Sequence, residues 1–404
     1  MARLIEECCC EKCWHSHERP CPDLVQCLVE GPVCHDDGTE KAMRAERVAE
    51  LLRHKVARPV IYVGAGTCGL AAGANYTIEA IEAYIAERGL DVDLVRVGCI
   101  GLCASEPMVD VQLPGKTRVS FCQVTKDNVV ALLDNVMAGV IPTDLLLGQM
   151  REETLEAWPR VPYIDEHPFF APQTRWVLAE CGLVDPNNID EYIARGGYKA
   201  LSQALRGMTP LDICSTVEAS GLRGRGGGGF PTGKKWQFAL KSESEQKYIV
   251  CNADEGDPGA FMDRAVIEGC PHKVLEGLAI AAYAIGASKA YIYIRAEYPL
   301  AIKHLKEAIA QAKQYGLLGS NVLDSGFNLD IYIKMGAGAF VCGEETALLH
   351  SIEGKRGMPR PRPPFPAVRG LFGKPTVINY VETFATVPTI VARGADWYSA
   401  VGTA

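Results

Sequence analysis

Gly221 to Trp236 reads GLRGRGGGGFPTGKKW, and seven of these residues are glycine. Glycine tolerates positive φ and lets a ligand come close to the main chain. A run this dense is not the interior of a helix or strand. Arg223, Arg225, Lys234 and Lys235 place positive charge beside bare peptide N–H groups. That combination suits a phosphate-bearing ligand. A flexible Gly linker is the bland alternative, but linkers do not carry Phe230 and Trp236 among fixed basic positions. Two phosphate motifs match on paper. Gly224-x-Gly226-x-x-Gly229 has dinucleotide spacing, yet the preceding LDICSTVEASG reads as a helix rather than the strand that motif follows. Gly228-x4-Gly233-Lys234 approaches a P-loop, but Lys235 replaces the Ser or Thr that would hold magnesium.

The chain has 404 residues, enough for two or three domains. Hydrophobic residues make up 48% and charged residues 22%, as in ordinary globular proteins. The net charge of −8 argues against nucleic acid as a partner. No stretch reads as a membrane span or a signal peptide, so a cytoplasmic location is expected. In that compartment 16 cysteines are metal ligands or packing residues rather than disulfides.

The cysteines divide the chain. Residues 1–45 form a Cys-rich head, where Cys10, Cys13, Cys21, Cys27 and Cys34 have spacing for one or two metal sites. A reduced, irregular tail is the competing reading. Residues 46–140 alternate strand and helix in the order βαβββα, and Cys68, Cys99 and Cys103 fall at strand ends. Residues 141–185 are rich in Pro and isolated aromatics and read as an extended connector. Residues 186–404 alternate helix and strand again, as in a doubly wound α/β layer. Polar blocks follow two of its strands: NADEGDPG from Asn252, and GAGAFVCGEETALL from Gly336. Such strand ends are where α/β folds place ligand contacts.

Residues 46–140 resemble the thioredoxin-like [2Fe–2S] ferredoxin domain of bacterial NADH dehydrogenases and NAD-linked hydrogenases. That domain uses a C-x4-C pair and a C-x3-C pair. Here Cys99 and Cys103 form the second pair, while Val63 stands where the first pair would begin, leaving Cys68 alone. The fourth donor is then a head cysteine or another atom. Otherwise the domain carries no cluster and serves for docking.

The glycine loop, the two polar blocks, PPFPA (Pro363–Ala367) and PTVINYVETF (Pro375–Phe384) together resemble the NADH-binding flavin subunit of complex I, NAD-linked hydrogenases and formate dehydrogenases. The resemblance implies a Rossmann-like FMN/NADH-binding domain. It places FMN against Gly224, Arg225, Gly226, Gly227, Lys235, Asn252, Asp254, Glu255, Gly343 and Asn379. It places NAD(H) against Phe230, Phe238, Phe365, Glu344 and Glu345. No residue is needed as acid or base, because hydride passes between cofactors. The acids also have structural readings: a turn cap for Asp254 or Glu255, a helix start for Glu344. Tyr380 and Phe340 depart from the family pattern, which has Asn and Tyr there. Relatives continue through a β-rich domain and a Cys-rich [4Fe–4S] domain, whose C-x2-C-x2-C run does not occur after Cys342 here. The implied activity is NADH dehydrogenase (diaphorase) chemistry within a soluble hydrogenase or formate dehydrogenase complex, compatible with electron bifurcation. A non-catalytic relay or scaffold subunit is the alternative.

Overall fold

Val60–Gly64 (VIYVG) forms β1, buried at every residue. Its β-branched residues suit a strand that neighbours cover on both faces. The structure is a computed structural model that describes residues 3–6 and 21–401. β2 (Asp93–Val97) runs parallel to β1, while β3 (Val109–Gln112) pairs antiparallel on its other side. β4 (Val119–Phe121) and β5 (Leu146–Gln149) complete a five-stranded sheet of order β2-β1-β3-β4-β5. Helices Ala74–Arg88 and Val129–Met137 pack on it, around Ile61, Val63, Ile78, Ile81, Val109 and Leu133.

β5 lies in the segment expected to be an extended connector. Gln149 holds it there. Its amide donates to the Trp158 and Val161 carbonyls (3.0 and 2.8 Å), and its side-chain oxygen accepts from Trp158 N and Thr117 Oγ1. Gly148 permits the crossing, since a Cβ there would stand 2.9 Å from the Pro162 carbonyl oxygen. Pro142 and Gly148 break the alternation that would have announced a strand.

The second sheet holds β6 (Tyr248–Ala253), β7 (Lys289–Arg295), β8 (Asp330–Gly336) and β9 (Thr376–Tyr380), all parallel, in the order β8-β7-β6-β9. Helix Pro271–Ile285 is buried at all residues but Tyr283 and anchors the largest core. The apolar run over Val266–Ile285 is not a single helix. The structure has two, Met262–Gly269 and Pro271–Ile285, because Pro271 has no N–H to continue the ladder. Likewise Ile189–Arg206 splits at Gly196-Gly197 into helices Ile189–Ala194 and Lys199–Gly207. Among the described residues no helix is long and apolar enough to cross a membrane.

The two sheets' cores meet through backbone. A Cβ on Gly98 would stand 2.3 Å from Gly269 Cα, and one on Gly182 would strike Ile100. Polar contacts flank this seam. Arg118 pairs with Asp110, stacks 3.7 Å over the Tyr62 ring and donates to the Gly182 carbonyl (2.7 Å). Arg53 pairs with the buried Glu191 at 3.0 Å. Gly98→Ala should therefore destabilise the protein by about 1–3 kcal/mol, as overpacking does. Denaturant unfolding followed by Trp fluorescence would show it. A change within error would mean that the seam can part at no cost.

Candidate functional site

β6, β7 and β8 step outward in one direction, and β9 returns to pair on the other side of β6. The carboxyl ends of β6 and β9 thus flank a topological switch point, where open α/β sheets form a ligand crevice. Register pairs Cys251 with Asn379 and Asn252 with Tyr380, so both strands finish level. Asn252 Nδ2 donates to the Gly343 carbonyl (2.9 Å), and Tyr380 OH donates to the same oxygen (3.0 Å). That draws the Phe340–Gly343 turn over the strand ends. Tyr380 thereby takes a bonding role that its sequence position did not promise.

The glycine loop folds back on itself across this edge. Gly224 N donates to the Phe230 carbonyl (3.0 Å), and Thr232 N to the Leu222 carbonyl (2.9 Å). Gly227 (φ +88°) and Gly229 (φ +59°) occupy the left-handed region that side chains avoid. At Gly226 a Cβ would lie 1.8 Å from the Tyr380 ring, so the bare main chain rests on that ring. Helix Thr232–Lys241 starts directly after, pressed against helix Pro210–Ala219 at Gly233, whose Cβ would lie 2.3 Å from Glu218 N. It delivers Lys235, whose Nζ donates to the Ile378 carbonyl of β9 (2.7 Å) and pairs with Glu345 (3.2 Å). It also delivers the buried Trp236, which donates to Asn379 Oδ1 (2.9 Å).

The acids divide by their partners. Asp254 is 1% exposed, and its Oδ1 has no hydrogen-bond partner. Burial pushes its pKa up to about 6. Glu255, at φ +34°, spends its carboxylate on the N-terminus of helix Met262–Gly269, accepting from Asp263 N (2.8 Å) and Arg264 N (3.0 Å). Glu344 caps helix Glu345–Ile352 through Thr346 N and Ala347 N (both 2.9 Å). Glu345 binds Lys235 on one oxygen and Arg362 on the other. The structural reading of Glu255 and Glu344 therefore accounts for their geometry, and Asp254 is the acid with an oxygen to spare. Arg225 is held by Tyr398 OH (2.8 Å) and Glu382 (3.6 Å). With Arg175 and Arg223 it lines a separate cleft of about 790 Å³ that none of Lys235, Asn252, Asp254, Gly343 or Asn379 reaches. Phe230 and Phe238 are half exposed, with centroids 6.4 Å apart, and Phe365 is more exposed still. Arg362, just before PPFPA, was the missed partner; its pairing with Glu345 crosses 17 residues and leaves no local signal.

In the first sheet the sulfurs of Cys68, Cys99 and Cys103 lie within 4.8 Å of one another. A hydrogen bond from Cys99 holds the Cys68 thiol down to about 6. Val63 is fully buried in the apolar core. The head behaves differently. Cys10 and Cys13 lie outside the described residues. Among the described residues Cys21, Cys27 and Cys34 do not gather into a ligand set. Cys27 is buried in helix Leu24–Glu30, and Cys34 is exposed beside His35 (3.3 Å).

Residues 217–389 match the family described as the Nuo51 FMN-binding domain. The chain is 60% identical over 232 residues to the NADP-reducing hydrogenase subunit HndC of Solidesulfovibrio fructosivorans, covering 57% of this chain and 47% of that protein. It is 54% identical over 226 residues to an NADH-quinone oxidoreductase F-type subunit of Rhizobium meliloti, covering 56% and 54%. A solved NAD+-reducing [NiFe]-hydrogenase in the H2-reduced state is similar at 29% identity and a TM-score of 0.48, covering 96% of this chain and 63% of that one. The chain spans about half the length of the curated relatives it matches. The matched stretch contains the glycine loop, Lys235, Asp254, Gly343 and Asn379.

The buried Asp254 gives a pH signature. Its folded pKa, about 6, exceeds the ordinary 3.8. Below about pH 4 the carboxyl is protonated folded or unfolded. As pH rises through about 6 the unfolded chain gains by ionising first, so stability falls. Asp254→Asn cannot ionise. Its denaturation midpoint should gain on the wild type between about pH 4 and pH 6 in flavin-free protein. Parallel pH profiles would contradict the burial of that charge.

Proposed function

We propose that this chain is the NADH-oxidising flavin subunit of a soluble multi-subunit oxidoreductase of the hydrogenase or formate dehydrogenase type. The observation that carries the reading is the crevice at the ends of β6 and β9. There, bare glycine amides, the Lys235 cation and the unpartnered Asp254 Oδ1 converge inside the stretch that matches the Nuo51 FMN-binding domain family. These residues fit FMN: a cradle that a Cβ would fill, a cation for phosphate, and a buried acceptor for a ring or ribityl donor.

FMN would be held by the main chain of Gly224, Gly226 and Gly227, by Lys235, and by Asn252, Asp254, Gly343 and Asn379. Arg225 has its side chain engaged with Glu382 and Tyr398 and its N–H on Thr383 Oγ1 (3.3 Å), so the phosphate contacts would fall to its neighbours. When bound, FMN accepts two electrons as hydride and gives them up singly. The remaining work is positioning. Trp236 fixes the Asn379 amide, and Gly343 is pinned by two donors, so the crevice is set before a ligand arrives. The half-exposed Phe230, Phe238 and Phe365 offer faces for the adenine or nicotinamide of NADH, with Glu345 on the polar side. Glu255 and Glu344 support this wall by capping helices. Cys68, Cys99 and Cys103 would bind an iron–sulfur centre that receives or returns electrons.

A visible spectrum of the protein loaded with FMN, recorded before and after NADH, tests the reading. Bleaching of the flavin band supports it. Flavin that binds but is never reduced would leave a relay or scaffold subunit instead. Lys235→Ala should weaken FMN binding about 10-fold or more, the scale of one lost charge-assisted hydrogen bond. Unchanged flavin affinity in a titration would remove Lys235 from the phosphate site.

A further inference from the structure

We propose that Glu106 supplies the fourth donor to the metal centre of Cys68, Cys99 and Cys103, giving a set of three thiolates and one carboxylate. Nothing in the cysteine spacing marks it, for it is an acid just beyond Cys103 and Val63 holds no thiol. The inference rests on the metal-centre part of the reading above and is independent of the flavin site.

Four features place Glu106 in this role. Its side chain is 7% exposed, so the carboxylate is largely out of water. Oε2 accepts from Met108 N (2.9 Å), which fixes the group, and Oε1 lies 3.7 Å from Cys68 Sγ. No Lys, Arg or His stands in salt-bridge contact with it among the described residues. Buried carboxylates are otherwise paired or bound to metal. The space for the group is built by glycine. A Cβ on Gly64 would lie 2.8 Å from Oε2, and one on Gly69 would lie 3.1 Å from Oε2 and 2.1 Å from the Gly64 carbonyl oxygen.

Two separations, one within each pair of donors, match the bite of a tetrahedral metal, while Glu106 approaches from the Cys68 side and lies outside the set of three sulfurs that are all within 4.8 Å of one another. Two thiolates bound at about 2.3 Å to one tetrahedral metal stand about 3.8 Å apart. Cys99 Sγ and Cys103 Sγ are 3.7 Å apart, and Cys68 Sγ and Glu106 Oε1 are also 3.7 Å apart. The nearest rival acid is Glu268, across the domain seam. It is already engaged, accepting from Thr67 N (2.8 Å) and Thr67 Oγ1 and lying 3.9 Å from Arg264. Carboxylate and thiolate together can hold either a [2Fe–2S] cluster or a single tetrahedral ion, and metal loading separates the two.

The test uses the full chain as wild type, Glu106→Gln and Glu106→Cys. Each is loaded in one arm with iron and sulfide and in the other with Co2+ alone as a spectroscopic probe. Gln keeps the shape and the acceptor for Met108 N but is a poor ligand. In whichever arm the wild type loads, Glu106→Gln should bind less than half as much metal, or shift the EPR or visible bands. Glu106→Cys should load fully, with the spectrum of a four-thiolate centre. FMN binding by all three proteins reports that the fold survives and tests the flavin reading separately. The proposal is overturned if Glu106→Gln matches the wild type in metal content and spectrum, or if the wild type loads in neither arm.

Discussion

The pairing of β9 against β6 is the constraint on which the site depends. Had β9 extended the sheet beyond β8, the ends of β6 would have been closed by continuous helix crossovers, with no gap for a ligand. Placed beside β6, it leaves two strand ends level, with loops rather than a crossover helix above them. The glycine loop, the Phe340–Gly343 turn and the first turn of helix Thr232–Lys241 all attach to that edge through Ile378, Asn379 and Tyr380. Hydrogen bonds set the turn and the helix, and contact of Gly226 with the Tyr380 ring sets the loop. That suits a place where polar ligand atoms must later find partners.

Glycine serves the second function of joining the two sheets. The loop that bears Cys99 and Cys103 leaves β2 through Gly98, which touches the backbone of Gly269. Gly269 closes helix Met262–Gly269, whose other end is capped by Glu255, next to Asp254. Eight residues of helix, about 12 Å at 1.5 Å per residue, therefore connect the edge of the crevice to the thiol loop. A bulkier residue at either contact would push the thiols away from the flavin domain.

Much of this was legible in the chain. Glycine density and adjacent Lys and Arg marked the loop, and acids after strands marked the carboxyl edge of the sheet. What escaped was set by distant contacts. β5 depends on Gln149 reaching Trp158 and Val161, and no local alternation announces it. The break before Pro271 was visible as a proline, yet the apolar run on both sides concealed it. For Glu255 and Glu344 the chain offered a capping reading beside the ligand reading, and carboxylates facing unsatisfied helix amides take up the capping contacts. The head's cysteines read as a ligand set by spacing, and that reading lies largely outside the described residues, since Cys10 and Cys13 are among those not described.

Glu345 is shared between Lys235 and Arg362, one oxygen to each. A carboxylate so divided ties the loop at residue 235 to the proline tract at residue 362. An anion that draws Lys235 toward itself leaves Glu345 more negative in effect, and its grip on Arg362 tightens. Occupancy at one end of the crevice and conformation at the other are then thermodynamically linked, and such linkage acts equally in both directions.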